Sequence, residues 1–292
     1  MIKRLPNYFL LVLFFIPMMT NSQSDLAFYN DVMSNAYEAT HRVKASSVFD
    51  SLFSNSLNKE GSFENSYEEL KWVSIKYPQD KSFRIITWQV KGNNELFKYY
   101  GYLQKADGTL FGLKDKSASM SDPEFEQHDP EYWFGALYYN MIEREVNGEK
   151  VYFMFGYNGL GPDIQLKVID ELHFDEGKPL FGNESFIESE DNERPTIKNR
   201  ILVDYSETAN VNCNFNEEMD MIVHDFVTPR LGVSPSGRPV KIPDGTYVGY
   251  EWKDNNWNRI DRIKNQISTP ESIYYQPKEK DNKDIFGRPK NK

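Results

Sequence analysis

Asn147-Gly148 stands between two runs of aromatic and β-branched side chains, Ala136–Val146 and Lys150–Tyr157. A two-residue link of this kind needs positive φ at both positions, which Asn and Gly accept at least cost, so the pair reads as a β-hairpin. The same signature recurs. Gly92-Asn93-Asn94 joins Phe83–Val90 to Leu96–Leu103, Asp107-Gly108 leads into Thr109–Leu113, and Asp175-Glu176-Gly177 joins Gln165–Phe174 to Lys178–Phe181. Arg200–Tyr205 reads as a strand, Asn210–Phe215 and Glu218–Phe226 pair across Asn216-Glu217, and Thr246–Trp252 pairs with Trp257–Ile263 around Lys253–Asn256. Consecutive strands on short turns make antiparallel neighbours. Lys114–Gln127 and the Gly-, Pro- and Ser-rich Thr228–Val240 read as loops. Helix over Pro130–Arg144 is the competing reading of its segment, because Trp133, Leu137 and Met141 share one helical face.

Asp25–Asn58 is different. Val43, Val48, Phe49, Leu52 and Phe53 recur at helical spacings, no proline interrupts, and a short helix is expected again near Tyr67–Val73. Helices first and strands after give the class α+β: N-terminal helices followed by a predominantly antiparallel β-sheet meander. One globular domain is expected over residues 23–263, helical over 23–80 and β-rich over 83–263. Lys264–Lys292, with Pro270, Pro277 and Pro289 and no core pattern, reads as a disordered tail.

The first residues carry Lys3 and Arg4, then Phe9–Met19 runs without a polar side chain. That run is about half of the 20 residues a membrane-spanning helix needs. A basic start, a short apolar middle and the small residues Thr20 and Ser22 mark residues 1–22 as a secretory signal, cut after Ser22. No cysteine lies near the new N-terminus to carry a lipid, and no second apolar run follows. The expected product is an exported, unlipidated protein without a membrane span, periplasmic, outer-membrane-associated or secreted.

The formal charge of −10 becomes −12 when Lys3 and Arg4 leave with the signal. Such a body repels nucleic acid and anionic membrane surfaces. The single Cys213 alternates with Val211 and Phe215 along a strand, which makes it a buried thiol, and no internal disulfide is open to it. The 20 Phe, 18 Tyr and 5 Trp suit pleated, half-buried surfaces, and the same residues line sugar-binding grooves.

Chemistry-bearing clusters are few. Glu218, Asp220 and His224 are expected to project to one face of a strand, with Asn212 and Asn214 across the hairpin. One histidine and two carboxylates can hold a divalent cation, and a solvated sheet face is the plainer reading. The acidic run Glu184–Glu193 reads as a solvated loop, with calcium binding as its sharper alternative. The glycine-rich Gly156–Asp163 lacks the lysine and the following helix of a phosphate cradle, so it reads as a wide turn. Gly232–Gly237 misses the spacing of a serine nucleophile elbow. Paired carboxylates of a glycosidase type are spatial and leave no sequence mark.

Trp133–Asn140, Tyr152–Gly159, Ile201–Phe226 and Pro243–Trp257 together resemble functionally uncharacterised exported proteins of flavobacteria-like Gram-negative bacteria. The resemblance spans roughly Phe83–Ile263 and implies an envelope location, without assigning any catalytic or binding residue. The expected function is a non-enzymatic module that binds or scaffolds a protein or glycan partner. The alternatives are a hydrolase or glycan-handling enzyme with Trp88, Trp133 or Trp252 walling its cleft, and a metal-binding module on Glu218, Asp220 and His224.

Overall fold

The computed structural model describes residues 21–161, 163–188, 194–234, 237–261 and 263. Residues 1–20, which hold most of the expected secretory signal, the acidic run beyond Glu188, Pro162, the Pro235-Ser236 pair, Arg262 and the tail from 264 lie outside the described residues.

Two helices open the chain, α1 (Asn21–Asn35) and α2 (Ala39–Leu57). The continuous helical region expected from the spacing is broken at residues 36–38. Arg42 explains how the break holds: its Nη1 donates to the carbonyls of Ala36 and Tyr37 at 2.7 and 2.8 Å, and its Nε to Lys91 O at 2.9 Å. The helix expected near Tyr67–Val73 is instead two successive turns, Leu70 N to Tyr67 O and Val73 N to Leu70 O, entered through Tyr67 at φ 51°.

Fifteen strands follow among the described residues: β1 (Ser74–Lys76), β2 (Phe83–Lys91), β3 (Phe97–Lys105), β4 (Leu110–Lys114), β5 (Leu137–Val146), β6 (Glu149–Asn158), β7 (Ile164–Asp175), β8 (Lys178–Phe181), β9 (Phe186–Glu188), β10 (Thr196–Lys198), β11 (Arg200–Ser206), β12 (Cys213–Asn216), β13 (Met221–Val233), β14 (Pro239–Lys253) and β15 (Asn256–Asp261). The class is α+β with mostly antiparallel sheets. The strands fall into three sheets, β1-β2-β3-β4, β11-β7-β6-β5 with β8 on β7, and β10-β9-β15-β14-β13-β12. Pairing departs from chain order where β11 returns to β7 and where β9 meets β15 in parallel.

Burial explains the layering. Along β2, Phe83 and Ile85 face one way and Ile86, Trp88 and Val90 the other, and both sets are buried. The second set packs under Phe49, Phe53 and Leu57 of α2. The first meets Tyr138, Met154, Val168 and Leu172 of the β5–β8 sheet. The opposite face of that sheet, through Phe153, Phe155 and Ile169, packs on Ile222, Tyr250 and Trp257 of the third. The order is helices, sheet, sheet, sheet, with an apolar cluster at each of three interfaces. β6 lies in the middle, so its residues 151–156 are buried without alternation.

Local turns match their residues. Asn147 (φ 53°) and Gly148 (φ 87°) close the β5–β6 hairpin, the strand reading of 136–146 rather than the helical one. Gly135 has a different reason: a Cβ there would lie 2.5 Å from Asp115 Cγ and 2.7 Å from Tyr99 Cβ. Thr228–Val240 departs from the expected loop, since β13 runs on to Val233 and β14 starts at Pro239, with register shifts after Asp225 and Arg230.

Candidate functional site

The three residues expected to share a metal do not converge. Glu218 and Asp220 lie in the exposed turn between β12 and β13, where Asp220 takes φ 50° and accepts from Arg144 Nη2 at 2.5 Å. His224 lies four residues further along, about 13 Å at roughly 3.3 Å per residue. It points inward beside Ile222, with its ring 5.9 Å from that of Tyr250. Its Nδ1 donates to Asp225 O at 2.8 Å, and burial holds its pKa below the usual histidine value. Among the described residues no group of three His, Cys, Asp or Glu side chains is placed to hold a metal ion.

The tryptophans expected as cleft walls are elsewhere. Trp88 and Trp133 are fully buried, the first against Phe49 and Tyr100, the second donating to Tyr138 Oη at 3.1 Å. Trp252 packs on Phe153 and Trp257. Trp72, not singled out from the sequence, is 48% exposed and stands at an open cleft of about 730 Å³.

That cleft lies where the end of α1, the 66–76 segment, the end of β2 and the start of β5 meet. Met33, Leu70 and Leu137 supply apolar lining, and Lys71, Lys76 and Lys91 bring positive charge to a chain of net −10. Lys91 pairs with Glu95, while Lys71 and Lys76 have no ion-pair partner among the described residues. Glu68 is the carboxylate in the lining. Gln89 also lines it, with a buried Oε1 that accepts no hydrogen bond. Such an atom is costly to leave unpaired.

The wall is held rigid from behind. Arg84 is fully buried, and its guanidinium donates to Gln104 Oε1 (2.9 Å), Asn65 O (2.6 Å), Tyr77 Oη (2.9 Å) and Ser62 O (2.9 Å). The rings of Phe63, Tyr67 and Tyr77 lie 5.3–6.0 Å from its Cζ. One side chain thus ties β2 to the segment that carries Trp72. Ser74 Oγ adds a hydrogen bond to Tyr138 O.

Two buried polar groups lie away from this cleft. Arg200 Nε donates to Asp170 Oδ1 at 3.0 Å, and Tyr138 Oη to Asp170 Oδ2 at 2.9 Å, all sealed between sheets. Glu171, also fully buried, accepts from Ser185 Oγ and faces His173 Nδ1 at 3.3 Å. His173 opens on a smaller cleft of about 400 Å³ with Lys150, Tyr152 and Asn183. A carboxylate beside an imidazole is half of a general-base arrangement, although Glu171 Oε1 and His173 Nδ1 make no hydrogen bond with each other. The Ser185 hydroxyl is spent on the carboxylate, so among the described residues no nucleophile stands on the imidazole itself.

The remaining sequence features are structural. Gly156–Asn158 continue β6, and Cys213 is buried, its thiol pushed up to about 12 by burial. Ser234 sits in the turn of the β13–β14 hairpin, where its backbone N–H donates to Arg238 O at 2.8 Å. No helix among the described residues is long and apolar enough to cross a membrane. Comparison with protein families, with curated proteins and with solved structures finds no match to this chain.

Proposed function

We propose that the protein is an exported, non-enzymatic binding module, and that its cleft beside Trp72 takes a small ligand with a ring face and negative charge, an acidic glycan being the chemistry that fits. The cleft carries this reading: an exposed indole for the ring, and Lys71 and Lys76 for the charge. A concave site that mixes apolar and aromatic lining with polar groups able to orient a ligand suits binding of a small molecule. Export rests on the leader, Lys3, Arg4 and the apolar Phe9–Met19, which places the module in the periplasm, on the outer membrane or in the medium. A hydrolytic activity at His173 is the second reading, favoured by the Glu171 contact and weakened by the missing nucleophile.

Thermal unfolding in oligomers of galacturonic acid, with neutral galactose oligomers as the control, tests the first reading. Ligand at a hundred times Kd adds about 2.7 kcal/mol to the folded state. At roughly 2–4 °C per kcal/mol, Tm rises by about 5–10 °C. The acidic series is expected to give that rise, and Trp72→Ala to remove it. An equal rise with the neutral series, or one that survives Trp72→Ala, contradicts the proposal.

A further inference from the structure

Lys167 sits in the middle of β7, opposite Tyr157 of β6 and Val203 of β11. Its neighbours along the same face of the strand are Ile169 and Glu171, so its stem runs into the interface between the second and third sheets. The ammonium position is 5.3 Å from the ring centroid of Tyr139 and 5.8 Å from that of Tyr157. Among the described residues it has neither a hydrogen-bond acceptor nor a carboxylate within ion-pair reach. The nearest candidate, Asp225, is engaged elsewhere: its Oδ2 accepts from Asn212 N at 2.6 Å and from Asn212 Nδ2 at 3.2 Å. Tyr139 is engaged too, donating its hydroxyl to Cys213 O at 2.5 Å.

A protonated amine needs three acceptors, and desolvation without them is costly. Two ring faces near the 6 Å limit of cation–π attraction offset little of this. Burial accordingly holds the Lys167 amine below its ordinary pKa. The residue is only partly buried. A partly desolvated lysine among aromatic rings, with no carboxylate partner, is the arrangement that gives a nucleophilic ε-amine.

We propose that Lys167 is a carbonyl-capturing site, whose free ε-amine forms a reversible imine with a small aldehyde or ketone bearing a planar, apolar face. The nitrogen lone pair attacks the carbonyl carbon and the C–N bond forms. The resulting carbinolamine loses its hydroxyl as water, the two amine protons leaving with the oxygen, so no oxidant or reductant takes part. The rings of Tyr139 and Tyr157 flank the new C=N bond. This site is separate from the cleft at Trp72, and neither proposal depends on the other.

Reductive trapping tests it. The folded protein is exposed at pH 7 to substoichiometric benzaldehyde with sodium cyanoborohydride, and benzylated lysines are mapped by mass spectrometry. Lys167 is expected to take at least ten times the label of exposed lysines such as Lys178 or Lys59, and unfolding in urea is expected to erase the preference. In Lys167→Arg, which keeps a long stem and removes the nucleophilic amine, the label should fall to the level of the surface lysines. Labelling of Lys167 at or below the rate of the exposed lysines in the folded wild-type protein overturns the proposal, whether or not the variant folds.

Discussion

Arg84 sets the shape of the cleft although it touches none of its solvent. Three hydrogen bonds from one guanidinium hold residues 62–77 against β2, and a fourth reaches Gln104 of β3. Lysine cannot reproduce that fork. Arg84→Lys is therefore expected to cost about 2–4 kcal/mol in urea unfolding, several charged hydrogen bonds being lost at once. A cost under about 0.5 kcal/mol would remove Arg84 from this role. His128 gives a pH signature. Burial, aided by the Arg200 charge, lowers its pKa to about 4, and its Nε2 has no hydrogen-bond partner. The unfolded chain binds a proton below about pH 6.5, while the native state does so only near pH 4. Stability therefore rises with pH across that window, and buried His224 adds to it in the same direction. Urea midpoints from pH 4 to 7 should climb, and His128→Gln should flatten part of the slope; an unchanged slope refutes the assignment. His224 also shows where a residue-level reading goes astray. Ile222 lies between Asp220 and His224 on the same side of the strand, which already marked that side as the core. Trp72 left no mark, because a single tryptophan in a polar stretch has no periodicity to reveal its exposure.

At the scale of elements the turn chemistry was the most informative signal. Asn147-Gly148, Asp107-Gly108 and Glu176-Gly177 all close hairpins between neighbouring strands, β5–β6, β3–β4 and β7–β8, because positive φ at Asn147, Gly148, Gly108, Glu176 and Gly177 is a local demand met by local residues. Gly148→Ala should cost about 1 kcal/mol in unfolding free energy, the expense of a Cβ at φ 87° with open space around it. Gly135→Ala should cost more, about 1–3 kcal/mol, since the Cβ meets Asp115 and Tyr99. The reverse order in a denaturant titration would contradict this account of the two glycines. Thr228–Val240 was illegible for the opposite reason. Its Pro, Gly and Ser mimic a loop, yet register shifts after Asp225 and Arg230 let the β13–β14 ladder take in Pro229, Gly232 and Pro239. The parallel contact of β9 with β15 joins segments some seventy residues apart in sequence, and no short-range pattern encodes it.

On the scale of the whole molecule, the sequence carried the class but not the layering. Helix-then-sheet order follows from spacing, whereas the stacking of three sheets depends on which buried face meets which. The unbroken burial of β6 conceals that choice, because both of its faces are apolar. Phe53 lies at the outermost interface, its ring 5.1–6.4 Å from those of Phe49, Tyr67, Trp88 and Tyr102. Phe53→Ala should cost about 3–5 kcal/mol, and limited proteolysis should then cut first within residues 36–38 and 58–73. The binding proposal belongs to the same corner of the fold, since α1, β1, β2 and β5 meet around the cleft. Hydrogen exchange with and without a saturating galacturonic acid oligomer tests it most directly. Slowed exchange confined to residues 66–76 and 89–91 is the result this account predicts; protection elsewhere, or no change while binding is measurable, contradicts it.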